Sequence, residues 1–196
     1  MSPIPGAQSL CTTIRPERST DAQAIREIHR AAFGQDAEAR LVDALRQSGD
    51  ARLSLVAEAE DAPGSIVGHV LYCRLDLLDS DLLDSEGDPQ GVDGIQPQRN
   101  TESLALAPLA VLPSWQRRGI GSQLVREGLE ICRSAGYGSV IVLGFPQYYC
   151  RFGFSVKLAA RFECVYAGEH LMALELMPGG LPRHGRIEYP GAFGDL

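Results

Sequence analysis

The chain reads as an α/β protein of the α+β kind, a single domain with a central mixed, mostly antiparallel sheet flanked by helices. Three observations lead there. Strand-like runs alternate with stretches of helical period along most of the 196 residues, which places helices over one sheet. Between 104 and 132 an apolar run ends at Pro113 and gives way to a helical stripe of Ile120, Leu124, Val125, Gly128, Leu129 and Cys132, a direct strand-to-helix joint. The length, with 44% hydrophobic and 22% charged residues, suits one core that needs no staples.

Residues 1–10 read as a flexible leader, and 11–196 as the domain. Thr12–Arg15 is a short strand. Ser19 or Thr20 then caps a helix from about Asp21 to Phe33, with Ala24, Ile25, Ile28, Ala31 and Ala32 on its buried stripe. Gly34 stops it. A second helix spans about 38–47 and turns Leu41, Val42 and Leu45 inward. Leu53–Ala59 and Ile66–Leu75 form a hairpin, because Asp61-Ala62-Pro63-Gly64 between them has turn chemistry. An insertion at about 79–100 breaks the pattern: seven acids from Asp76 to Asp93 precede the next basic residue, Arg99. It reads as a solvated acidic loop, with a rim that attracts a cationic amine as the sharper alternative. After the joint, the helix ends near Ala135-Gly136. Val140–Leu143 is continuously apolar, as a strand buried on both faces should be. Pro146–Arg151 forms a short helix, Phe152–Val156 returns as a strand, Leu171–Leu176 is another, and the run 185–190 adds an edge strand.

The net charge of −7 argues against a nucleic-acid partner or an anionic membrane surface. No apolar run approaches the roughly 20 residues of a bilayer span. The start has no basic region followed by an apolar core, and five scattered cysteines form no Cys-x-x-Cys or Cys/His cluster. A cytoplasmic protein with reduced thiols and no metal is therefore expected.

The joint carries the chemistry. A helix start leaves its first backbone N–H groups without partners, the macrodipole favours an anion there, and Gly119 and Gly121 let that anion approach the backbone. A pyrophosphate is the expected guest. A dinucleotide fingerprint needs a glycine where Leu124 stands, and a P-loop needs a Gly-Lys-Ser/Thr run that is absent. What fits is Gln116-x-x-Gly119-x-Gly121, and with it the sequence resembles the GNAT superfamily of acetyl-CoA-dependent N-acetyltransferases. Leu109-Ala110-Val111, Val140–Gly144 and Tyr149-Cys150-Arg151-Phe152-Gly153-Phe154 fall where that family places its central strand, its splayed strand and its Tyr-x-x-x-Gly-Phe run. Val67-Gly68-His69-Val70, Leu106–Val111, Tyr148–Phe154 and Tyr189-Pro190-x-Ala192-Phe193 are similar to the YhbS-like branch, from about residue 12 onward. That branch usually has an aspartate where this chain has Phe145, so no role for that carboxylate carries over.

The resemblance implies a wedge between splayed strands that takes acetyl-CoA, backbone contacts from Leu109, Ala110 and Val111 to its acyl-pantetheine arm, and Tyr149 reaching toward its sulfur. Gln116 belongs to the matching motif. The amides of Arg117, Arg118, Gly119, Ile120, Gly121 and Ser122 would grip the pyrophosphate, with both arginines adding charge. Cations at a helix start oppose its dipole, so they are easier to explain with an anion present. Pro108 cannot donate a ladder bond and marks a bulge that could aim the Leu109 amide at the thioester carbonyl as an oxyanion donor. Tyr149, near pKa 10, would protonate a leaving thiolate near 8.5. His69 and Glu102 are the candidates for the base that deprotonates the amine. The expected reaction is direct attack of a primary amine on acetyl-CoA. A catalytically silent acyl-CoA-binding or interaction module is the second reading, separated from the first by turnover. The acceptor and the oligomeric state are open, although C-terminal strands could pair between chains as a homodimer.

Overall fold

The structure, a computed structural model, describes residues 11–79 and 102–195. The leader and nearly all of the acidic insertion lie outside the described residues. Six strands form the main sheet: β1 (Thr12–Pro16), β2 (Ala51–Ala59), β3 (Ile66–Asp79), β4 (Ser103–Val111), β5 (Ser139–Leu143) and β7 (Leu171–Glu175), in the order β1-β2-β3-β4-β5-β7. Neighbours are antiparallel except β4 and β5, which run parallel. Helix α3 (Ile120–Ser134) makes the crossover between those two, as a parallel pair requires.

The expected hairpin is present, but β3 runs on to Asp79. Its far end pairs with β8 (Gly185–Glu188), which also pairs with the two-residue β6 (Phe162–Glu163). Both edges of β8 are thus engaged within the chain. Phe152–Val156 is not a strand, contrary to the sequence reading. Gly153 adopts a left-handed φ of 94° after a 3-10 turn at Cys150–Phe152, and only Ser155 bridges to Ala173. Ser155 then accepts the Leu158 N–H at 3.3 Å and caps a short helix over Val156–Ala159. The first helix, α1 (Ala22–Phe33), begins within one residue of the expected start, but neither Ser19 nor Thr20 caps it: both lie in a 3-10 turn at Ser19–Asp21, and Asp21 stands at the N-cap. Asp21 accepts from the Arg18 N–H at 2.7 Å and pairs with Arg15, which anchors the turn to β1.

Apolar side chains fill both faces of the sheet. Helices α1 and α2 (Ala37–Gln47) bury Ile25, Ile28, Leu41, Val42 and Leu45 on one face. Helix α3 buries Ile120, Leu124, Val125 and Leu129 on the other. The second face depends on a close approach. The Tyr72 ring lies so near α3 that a Cβ at Gly128 would sit 2.4 Å from it, and the Tyr72 hydroxyl donates to the Val125 carbonyl at 3.1 Å.

The first face holds a buried polar chain. The Ser54 hydroxyl donates to Glu17, so it accepts from His69 Nε2 at 2.9 Å. The His69 Nδ1 lone pair then accepts from His29 Nε2 at 2.8 Å, and His29 Nδ1 is buried with no partner among the described residues. Both imidazoles are therefore neutral. Arg46 completes the chain, donating to Glu17 at 2.8 Å. Burial, reinforced by the Arg46 charge, lowers the His29 pKa to about 4; burial, with His29 and Arg46 nearby, also lowers that of His69.

Replacing Gly128 by alanine gains about 1 kcal/mol of helix propensity but drives a methyl into a buried ring, so a net loss of about 1–2 kcal/mol is expected in denaturant unfolding. Acid should also destabilise the fold, because below pH 6.5 the unfolded histidines take up protons that the folded ones refuse. Stability should be level above about pH 7.5 and fall through 6.5, with about 2 kcal/mol lost by pH 5 from His29 alone. An unfolding free energy that does not change between pH 8 and pH 5 would contradict the neutral pair.

Candidate active site

The site begins where β4 and β5 part. Their parallel register runs from Ser103 opposite Ser139 to Leu106 opposite Val142 and then stops. β5 stays with β7 to the pair Leu143–Leu171. β4 continues along β3, with one extra residue on its own side: Leu106 faces Tyr72 and Leu109 faces Val70. Three steps on β4 therefore match two on β3, which is the bulge expected at Ala107-Pro108. The Ala107-Pro108 bond is cis.

The bulge fixes which amides face the gap. Successive N–H groups in a strand point to opposite edges. The Leu112 N–H donates to the Val67 carbonyl at 2.9 Å on the β3 side. By that alternation the Ala110 N–H also points to β3, while those of Leu109 and Val111 point to the edge that β5 has left. The Val111 carbonyl faces the same gap and accepts from Gln116 Nε2 at 3.0 Å.

Two cavities meet along this edge. One, of about 480 Å³, is lined by Leu109, Val111, Trp115 and Gln116, by Arg117 and Gly119 to Ser122, and by Tyr148 and Arg151. The other, of about 640 Å³, lies in the splay between Leu106–Leu109 and Leu143–Phe145. Leu109, Gln116 and Tyr148 line both. At the floor of the first, Arg117 (φ 61°) and Gly119 (φ 85°) adopt left-handed backbone and lead into α3. The first helical bond there is Gln123 N–H to Gly119 at 3.0 Å, so the amides of Ile120, Gly121 and Ser122 have no intrahelical partner. A Cβ at Gly121 would meet the Tyr148 hydroxyl at 2.7 Å.

The basic residues divide differently from the sequence reading. Arg117 lines the first cavity. The Arg118 guanidinium lies over Trp115 at 5.1 Å and donates to the Ser114 carbonyl at 2.9 Å, outside the lining. Arg151 lines it instead, donating to Ser122 Oγ at 2.9 Å and stacking on Tyr148 at 4.1 Å. One usable hint of this lies in the chain itself, a cation set among the aromatics Tyr148, Tyr149 and Phe152. The Ala110 side chain is buried in the core on the α1 side, and its residue lines neither cavity.

Tyr149 stands in the wall of the second cavity, at the end of the short helix α4 (Pro146–Tyr149). Its ring packs edge-on against Tyr148 and Phe154, with centroids 4.9 and 5.8 Å away. Gly144 makes room for it, since a Cβ there would lie 2.4 Å from the ring. Burial raises its pKa above 10, so the hydroxyl stays a donor. The two base candidates stand elsewhere. His69 is fully buried in the polar chain and lines neither cavity. Glu102 precedes β4, at the opposite end of the strand from Leu109 and about 20 Å away. Phe33, Glu38, Leu41, Tyr166, Tyr189 and Phe193 also line the second cavity; they come from segments too distant in sequence to have been grouped beforehand. Among the described residues no group of three or more His, Cys, Asp or Glu side chains is placed to hold a metal ion, and no helix is long and apolar enough to cross a membrane.

Comparison with known proteins is consistent with this geometry. The sequence profile of the acetyltransferase (GNAT) family matches residues 22–154. The chain is 34% identical over 155 residues to the uncharacterised N-acetyltransferase YhbS of Escherichia coli K12, spanning 79% of this chain and 80% of YhbS. In structure it is similar to E. coli YhbS in complex with CoA (TM-score 0.76, 31% identity, covering 96% of this chain and 95% of that one). It also resembles a GNAT family acetyltransferase from Brucella melitensis in complex with acetyl-CoA (TM-score 0.69, 32% identity, 93% and 98% covered). With its splayed strands, its left-handed turn into α3 and these relatives, the chain belongs to the acetyltransferase (GNAT) family.

Proposed function

We propose that the protein moves an acetyl group from acetyl-CoA to a primary amine by direct attack, with Tyr149 as the general acid. The observation that carries this reading is the continuity of the two cavities through Leu109, Gln116 and Tyr148. One end offers unpartnered amides for a pyrophosphate, and the other offers a buried tyrosine and the Leu109 amide. The complexes of the E. coli and B. melitensis relatives with CoA and acetyl-CoA support the same occupant.

In this reading the pyrophosphate sits on the amides of Arg117 to Ser122, with Arg117 and Arg151 adding charge. The pantetheine arm runs along the open edge of Leu109–Val111, and the thioester carbonyl meets the Leu109 amide. As the neutral amine attacks, the carbonyl oxygen gains negative charge, and the Leu109 N–H stabilises it by about 3 kcal/mol. The carbon–sulfur bond then breaks, and the proton of Tyr149 goes to the departing thiolate. The ammonium form of the acceptor first loses its proton to water in the open cleft, since His69 and Glu102 stand apart from it. The attacking nitrogen gives its second proton to that same water as the amide forms, and the water returns a proton to Tyr149.

Tyr149→Phe should lower kcat for CoA release by about 10²- to 10³-fold while leaving the KM for acetyl-CoA within about twofold. Because burial holds the wild-type hydroxyl protonated, its kcat should show no decline from tyrosine ionisation up to about pH 10. Thermal stabilisation by acetyl-CoA without CoA release for any amine would instead identify a silent acyl-CoA-binding module.

A further inference from the structure

The acceptor's chemistry is written in the wall of the second cavity, an inference that rests on the acetyl-transfer reading. Among the described residues five large hydrophobic side chains remain exposed. Three of them, Phe33 (44% exposed), Leu143 (49%) and Phe145 (72%), line this one cavity. A fourth, Val165, lines an adjoining cavity of about 730 Å³ that shares Tyr166, Tyr189 and Phe193 with it. Scattered exposed hydrophobics need no explanation, but a cluster around a single opening marks a surface that something covers.

The same wall is poor in charge. Glu38 is the one ionisable acid or base of Asp, Glu, Lys, Arg or His type among its described lining residues. Gln35 donates to its two carboxylate oxygens at 3.1 and 3.3 Å, and no cationic side chain pairs with it among the described residues. The Tyr189 hydroxyl, buried against the cavity, also lacks a partner there. The wall therefore presents one negative charge within aromatic and aliphatic surface. A polycation would bring charges that find no second partner and would lose their hydration.

We infer that the acceptor is a small primary amine on an apolar, ring-sized body. The body lies against Phe33, Phe145, Tyr166 and Tyr189, and Glu38 receives the ammonium before it is deprotonated. Aromatic faces add cation–π attraction for the same group.

The test measures CoA release by the full chain at saturating acetyl-CoA with 2-phenylethylamine, tryptamine, ethanolamine, spermidine and Nα-acetyl-lysine. For the two aromatic amines kcat/KM should exceed that for ethanolamine and spermidine about 100-fold, the scale of burying one ring. Glu38→Gln should raise the KM for 2-phenylethylamine about tenfold, with kcat and the KM for acetyl-CoA within about twofold. Phe145→Ser, at an exposed position, should narrow the preference over ethanolamine about tenfold. Preference for spermidine or Nα-acetyl-lysine, or equal rates with ethanolamine and 2-phenylethylamine, would overturn the inference while acetyl transfer stands. A Glu38→Gln variant that loses kcat at unchanged amine KM would overturn the recognition role. Release with none of the five amines would overturn the inference together with the reading beneath it.

Discussion

A strand in the middle of a sheet has its backbone groups paired on both edges, and everything functional in this molecule follows from breaking that rule over a few residues. Between Leu106 and Val111, β4 keeps β3 and gives up β5. Unpaired amides away from water are costly, so the gap persists because it stays open to solvent and to a ligand. The extra residue at Ala107-Pro108 turns the strand just as its neighbour leaves. The gap thus has a fixed set of donors on one side and Leu143–Phe145 on the other.

The two ends of the gap are built by different means. At the α3 end, left-handed residues and a helix start present main-chain nitrogen, which depends on backbone shape more than on side-chain identity. At the β5 end, aromatic side chains packed edge-to-face from Tyr148 to Phe154 hold the Tyr149 hydroxyl in apolar surroundings. Arg151 ties them together, since it bonds to Ser122 on α3 and lies over Tyr148, whose ring packs against Tyr149.

Much of this could be read in the chain beforehand, and the reasons are local. The change of period at Ile120 and the glycines at 119 and 121 mark the joint, because helix starts and left-handed turns leave signatures within a few residues. Pro108 announced its bulge in the same way. One miss was local, and the others were non-local. The strand expected at Phe152–Val156 fails because Gly153 and the Ser155 cap act over shorter range than the apolar run around them. The two-residue β6 has too few residues to show a period and exists because β8 lies beside it. Glu38, Tyr166 and Tyr189 meet across well over a hundred residues, and no spacing rule brings them together. The environment of His69 was equally invisible, since its partners come from α1, β2 and the segment after β1.

That polar chain has a consequence for how the fold selects itself. Ser54 stands opposite Leu71, one diagonal step from His69, which stands opposite Val56. Shifting β2 by one position would swing Ser54 to the far face and strand two imidazoles in a dry interior. Apolar neighbours such as Leu55 and Val70 would forgive such a slip, for one branched residue packs much like another. Directional bonds do not. Glu17, Ser54, His69 and His29 therefore act as a combination lock on strand alignment, rejecting near-miss assemblies that oil-like contacts alone would tolerate.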